Sequence, residues 1–173
     1  MLVNVVAYDP RWKNLFLSEA GQIRDMLGDE LINIFHIGST AVEGLKAKPV
    51  IDMMPVVRNL SRLDGYASRF EALEYEVMGE FGIPGRRYFR KGANNRTHQI
   101  HAFQFDNLQE IERHLAVRDY LRSHDAARMA YGQLKAGLAE KFPEDIEGYA
   151  DGKEAFVVAM EKEALKWRHR TRS

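Results

Sequence analysis

The sequence predicts an α+β protein in which a mixed β-sheet packs with helices and the C-terminal third is helical. Three observations predict it: an apolar stripe of helical period near the start, short apolar runs bounded by turn residues in the middle, and renewed helical periodicity over residues 107–167. At 173 residues, 45% of them hydrophobic, the chain can build one domain with a real core. Neither a repeat nor a low-complexity linker interrupts it, so a single domain over residues 1–173 is expected.

The elements follow in order. Asp9-Pro10 suits a helix start, with proline at the first helical position, and Trp12, Leu15, Phe16, Ala20, Ile23, Met26 and Leu27 form a stripe that ends near Gly28. Ile34 to Ile37 and Pro49 to Val57 read as two short strands. A second helix is expected over Ser61 to Leu73, with Leu63, Tyr66, Ala67, Phe70 and Leu73 inward. A strand Glu74 to Glu80, a basic edge strand within Gly82 to Gly92 and a strand Thr97 to Phe105 follow. Asn107 caps the first of three C-terminal helices, which break near His124 and Pro143. Their stripes are Leu108, Ile111, Leu115 and Leu121, then Met129, Leu134 and Leu138, then Phe156, Val157, Met160 and Ala164.

Composition removes whole classes of function. Lys plus Arg equals Asp plus Glu at 25 each, which argues against a general electrostatic nucleic-acid binder. With no cysteine there is no disulfide, thiolate zinc site or cysteine nucleophile. No apolar run approaches the ~20 residues of a membrane span, and MLVNVVAYDP lacks a charged region ahead of an apolar core. A cytoplasmic location and no membrane partner are expected. The basic ending KWRHRTRS is expected to fray.

The run HIGSTAVEGLKAKPVIDMM, His36 to Met54, concentrates the features of a site. A Gly-Ser turn closes one strand, a basic loop follows, and Asp52 then stands inside an apolar strand. An ionised carboxylate there is costly unless a cation, hydrogen bonds or water meet it. Asp52 is therefore either a ligand-facing group or a brace accepting hydrogen bonds that hold the first two strands together.

This arrangement resembles the DNA polymerase beta-like nucleotidyltransferase superfamily, and within it the GrpB family. The blocks that carry the resemblance are IGSTAVEGLKAKPVID, VAYDPRW at Val6 to Trp12, GIPGRRYFRKG at Gly82 to Gly92, THQIH at Thr97 to His101, and HLAVRDYLRSH at His114 to His124. They fall in family order and cover most of the chain. The resemblance implies a nucleotidyltransferase-like mixed sheet, a nucleotide or other phosphorylated small molecule as partner, and magnesium or manganese as candidate cofactor. It places Gly38 and Ser39 on phosphate and Asp52 on the metal, as a catalytic residue.

The chain departs from that scheme two residues on. Side chains alternate along a strand, so Asp52 and Met54 share a face, and a thioether cannot replace the second carboxylate that a hard cation needs. The strand Thr97 to Phe105 offers Thr97, Gln99, His101 and Phe103 on one face and no acid; Glu80 is another acid with no assigned place. Two readings stand: a nucleotidyltransferase with an atypical metal site, and a noncatalytic binding or partner-stabilising module that has lost the second carboxylate.

Basic residues and histidines supply further candidates. Lys48, beside Lys46 in the loop, and Arg86 and Arg87 suit phosphate, since arginine forks bind it bidentately. Arg86, Tyr88 and Arg90 would face one way along their strand and Arg87, Phe89 and Lys91 the other, so one surface cannot receive all four charges. His98 and His101 fall on opposite faces. His101 is a candidate general base, and His98 or His101, with His36, is a candidate partner of Asp52 in a mixed site suited to zinc, manganese or iron rather than magnesium. Arg118 and Arg122, at i and i+4 on one helix, either reach an anion or are solvated. Tyr149 and Lys153 are candidates to point back at the sheet.

Overall fold

A computed structural model describes residues 2–172. The opening stripe forms α1, Arg11–Leu27, and the chain turns at Gly28, whose φ is 53°. Asp9 accepts from the Arg11 amide at 2.9 Å, closing the first turn. Strand β1 is Leu31–Ile37, three residues longer at its start than the apolar run suggests, and β2 is Ile51–Val57. The expected second helix begins as a 3-10 turn, Leu60–Tyr66, and becomes α2 only at Ala67–Ala72. Asn59 caps it by accepting from the Ser61 amide.

The expected strand Glu74 to Glu80 shrinks to β3, Glu76–Val77, because Glu74 and Gly79 on either side adopt positive φ. Strands β4, Arg86–Lys91, and β5, His98–Gln104, form a hairpin. The sheet order is β1-β2-β5-β4-β3, with β2 and β5 parallel and the other pairs antiparallel. The basic strand β4 is thus internal, not the expected edge, since the two residues of β3 pair with it.

Helices α3, Leu108–Ser123, α4, Asp125–Lys141, and α5, Ile146–Thr171, match the expected breaks. The basic ending does not fray before Thr171, because Arg168 pairs with Glu112 and Asp119 of α3. No helix of the described residues is long and apolar enough to cross a membrane.

Three apolar clusters explain the layering. On one sheet face Ile51, Met53, Phe89 and Ile100 pack with Ile23 and Leu27 of α1 and Phe70 of α2. On the other, Met54 and Phe103 pack with Ile111 and Leu115 of α3. The third cluster joins Val42 and Leu45, from the loop between β1 and β2, to Leu121, Tyr131 and Met160 of the C-terminal helices. Burial of each such side chain contributes about 1.5–3 kcal/mol, so this third cluster holds the loop against α4 and α5.

An ion cluster ties α1 to the sheet. Glu19 accepts from Tyr75 Oη at 2.7 Å and from Lys91 Nζ at 2.5 Å, with His98 Nε2 at 4.0 Å. Burial pushes the Glu19 carboxyl up, but the bonds from Lys91 and Tyr75, with the charges of His98 and Lys91, hold it below its usual value. Its contribution is therefore present above the unfolded pKa near 4.5 and is lost as pH falls through the lower folded value. Tyr75→Phe removes one donor to this charge and is expected to lower stability by about 1–2 kcal/mol, read by urea unfolding at pH 7. An unchanged midpoint would mean that Lys91 alone satisfies Glu19.

Candidate ligand-binding site

The site forms where the turn after β1 meets the start of β2. Gly38 has φ 73° and ψ −172°, a combination that a side chain strongly disfavours. It also lies against Asp52: a Cβ at Gly38 would stand 2.8 Å from Asp52 Oδ2. The close backbone approach expected for a phosphate is thus made first to the carboxylate.

Asp52 is held by the neighbouring strand. His101 Nε2 lies 3.0 Å from Asp52 Oδ1, while His101 Nδ1 faces Arg86 Nη1 at 3.4 Å. A guanidinium only donates, so Nδ1 accepts and the ring hydrogen on Nε2 meets Asp52. Both ring nitrogens are engaged, which opposes the expected general-base role of His101 and makes it a brace. Gln99, with its amide oriented to suit both neighbours, donates to Asp52 Oδ1 at 3.0 Å and accepts from Arg96 Nη1 at 3.2 Å. The Asp52 side chain keeps 24% of its surface exposed, so it still faces the cleft.

The cation side comes from three places. Lys135 of α4 donates to Ser39 Oγ at 2.7 Å, although the residue is only 2% exposed. Lys48 from the loop and Lys153 from α5 line the same cavity of about 110 Å³, with Ser39, Asp52 and Tyr149. The Lys135 Nζ lies 4.4 Å from the Tyr131 ring centre, while Lys48 and Lys153 lie over the Tyr149 ring at 5.2 and 5.4 Å. Burial, then the charges of Lys153 and Lys48, push Lys135 down to about 6 against the pull of Asp52. Burial is also the main cause that lowers Lys48, followed by the charge of Lys153.

Gly38, Ser39, Lys48 and Asp52 are thus brought together as expected, and His101 joins Asp52. The two arginines are not part of the cavity lining. Arg86 bonds the carbonyls of Glu80 at 3.2 Å and Phe81 at 2.8 Å and stacks on Tyr88, so its fork is occupied positioning His101. Arg87 projects to the opposite sheet face, where Asp64 accepts from it at 2.8 Å. The Glu80 carboxylate accepts from the Gly85 amide, and His36 joins Thr40 rather than Asp52. Tyr149 and Lys153 do point back at the sheet. Lys135 was missed; its one signal is a lysine one turn after Tyr131 on an otherwise buried helix face.

These donors do not fit a pair of magnesium or manganese ions. Met54 is fully buried in the apolar cluster under α3, Asp52 Oδ1 already meets two donors, and the cavity beside it is lined by three lysines where hard oxygens are needed. Among the described residues no three His, Asp or Glu side chains come together as a metal-holding group.

Sheet order, strand pairing and the Gly-Ser to Asp connection define a protein of the nucleotidyltransferase fold. The same fold is seen in Cid1, in a structure titled as its complex with the UTP analog UMPNPP: TM-score 0.52 and 10% identity, covering 78% of this chain and 43% of that one. Residues 2–163 match the family described as GrpB protein, and the chain belongs to that family. The crystal structure of conserved protein GrpB from Enterococcus faecalis is similar over 95% of this chain and 99% of that one, with TM-score 0.93 and 46% identity. UPF0157 protein YqkA of Bacillus subtilis (strain 168) is 39% identical over 166 residues; the match covers 96% of this chain but only 48% of YqkA, so the chain spans about half of that relative.

Proposed function

We propose that this protein binds the phosphate group of a nucleotide or another phosphorylated small molecule between the Gly38-Ser39 turn and helices α4 and α5, as a binding protein rather than a two-metal transferase. The observation that carries this reading is the buried Lys135 on Ser39 Oγ, with Lys48 and Lys153 lining the same cavity. Amines crowded together out of water lose protons, as Lys135 does, and a bound anion favours return of that proton and offsets the charges of Lys48 and Lys153. A cavity of about 110 Å³ suits a phosphoryl group, leaving the ligand body outside it. In this reading Ser39, Lys48, Lys135 and Lys153 hold the anion. Asp52, braced by His101 and Gln99, orients a ligand hydroxyl and balances part of the positive charge.

A second reading, nucleotidyl transfer with a cation at Asp52, draws on the fold shared with Cid1 and on the exposed part of the Asp52 carboxylate. One experiment separates the two. ATP, UTP and pyrophosphate are titrated into the protein in EDTA and in magnesium or manganese while the thermal midpoint is followed. A ligand at about 100 times its Kd adds about 2.7 kcal/mol to native stability, a rise of about 5–10 °C for a chain of this size. The expected result is a rise in EDTA that persists in Asp52→Asn. A rise that requires the metal and vanishes in Asp52→Asn would replace this reading with the transferase, and no rise from any phosphate would remove both.

A further inference from the structure

A second cleft, about 590 Å³, runs between α1, the edge strand β1 and α3. Thr40 lines both this cleft and the lysine cavity, so the turn after Gly38 is the wall between them. Its chemistry differs from that of the lysine cavity. Tyr8, Phe16 and Phe35 supply aromatic surface, and Lys13, Arg118 and Arg122 face a single acid, Glu43.

The polar groups here are built in and half used. Arg118 gives Nε to Asp119 at 2.9 Å and Nη1 to the His36 carbonyl at 3.3 Å, leaving Nη2. Arg122, one turn further along α3, gives Nε and Nη2 to the Ala41 carbonyl at 3.0 and 2.8 Å, leaving Nη1 without a hydrogen bond and 4.0 Å from Asp119 Oδ1. His36 is only 9% exposed and lies flat on Phe16, with ring centres 4.8 Å apart. Its Nε2 is 3.0 Å from Thr40 Oγ1, and that hydroxyl uses its own hydrogen on the Val50 carbonyl. Nε2 therefore carries the hydrogen of the neutral ring, and Nδ1 is a bare acceptor without a partner among the described residues. Burial pushes His36 down to about 4 against the pull of Asp52, and the charges of Arg122 and Arg118 act in the same direction as burial. Burial and the charge of Arg118 likewise lower Arg122.

We propose that this cleft is a second ligand site, taking a planar anion of the aromatic carboxylate or aryl phosphate class. The charge sits between Arg118 Nη2 and Arg122 Nη1, the ring lies on the aromatic wall, and a ligand hydroxyl or N–H donates to His36 Nδ1. The anion adds to Asp119 in offsetting two guanidinium groups that repel each other, and the donor pairs a ring nitrogen that has no partner among the described residues. This site stands independently of the phosphate reading above.

The test is a two-dimensional NMR titration of the full chain with salicylate and with phenyl phosphate, set beside phenol and inorganic phosphate. Saturable shifts at Phe35, His36 and the Arg122 side chain are expected from either aryl anion, with phenol and phosphate binding about tenfold or more weakly. Leu17→Trp fills the cleft from a position 56% exposed and cuts no hydrogen bond; it is expected to keep the wild-type midpoint and weaken the aryl anion about tenfold or more. Arg122→Gln is expected to weaken the aryl anion likewise, at some cost in stability from its lost bonds to the Ala41 carbonyl, and if it folds poorly Leu17→Trp decides alone. Unchanged affinity in Leu17→Trp, shifts confined to Ser39 and Lys135, or no saturable shift would each overturn the proposal.

Discussion

Replacing Lys135 by methionine is expected to remove a steep pH dependence of stability and, with it, most of the affinity for phosphate. The folded pKa near 6 lies far below the ordinary 10.5, so between these values the unfolded chain carries a proton that the native chain lacks. Stability then rises with pH across that window by up to about 1.4 kcal/mol per unit, and this group contributes no slope below pH 6 or above 10.5. The groups facing this amine are Ser39, Tyr131, Lys48, Lys153 and Asp52. Methionine has nearly the same length and no charge, so Lys135→Met is expected to be more stable than the wild type near pH 6.5. The gap should narrow by about 1 kcal/mol or more per unit toward pH 8.5, in urea unfolding at three pH values. In the same variant the midpoint rise with pyrophosphate should fall as affinity drops about 10–100-fold, the loss of a contact that becomes charge-assisted once the bound anion has drawn a proton onto Lys135. A gap that does not change with pH would show that the folded protein keeps Lys135 charged. A pyrophosphate response equal to that of the wild type would remove Lys135 from the site.

Gly38→Ala is expected to lower stability by about 3 kcal/mol or more and to disturb Asp52. Two costs add. The backbone at φ 73° and ψ −172° belongs to a region open almost only to glycine, worth about 1–3 kcal/mol of strain for any other residue. The new methyl would then stand 2.8 Å from Asp52 Oδ2 and 3.2 Å from its Cβ, closer than packed atoms allow. Moving the carboxylate to relieve this breaks its bonds to His101 and Gln99. The accompanying signature is a change in the His101 imidazole resonances, which a purely local backbone strain would leave in place. Stability within about 0.5 kcal/mol of the wild type would mean that the turn has another accessible conformation.

Much of the site was legible because its signals are local. A glycine and a serine at the end of one strand, and an aspartate inside the next, are visible without any fold, and strand alternation puts Asp52 with Met54 and His101 with Gln99. The same alternation separates Arg87 from Arg86, and Arg87 indeed pairs with Asp64 across the sheet. Less legible were the ends of elements. Three residues at the start of β1 alternate too weakly to read, and positive φ at Glu74 and Gly79 cut β3 to two residues. Those two residues still sufficed to make β4 internal.

What the sequence by itself determined was the α+β class, the order of helices and strands, the absence of thiol chemistry, the Gly38-Ser39 and Asp52 pair, and the missing second carboxylate at Met54. The tertiary structure alone decided which charges meet there. Lys135 comes 96 residues after Ser39, and only the docking of Val42 and Leu45 against α4 and α5 sets its amine on the serine hydroxyl. Arg86 was likewise diverted from a ligand to His101 by two carbonyls of a turn that carries no pattern. Alternation, capping and side-chain chemistry act over a few residues and can be read from them. Burial energy is spread over contacts between distant elements, and no short stretch of chain records which distant side chain that packing will deliver.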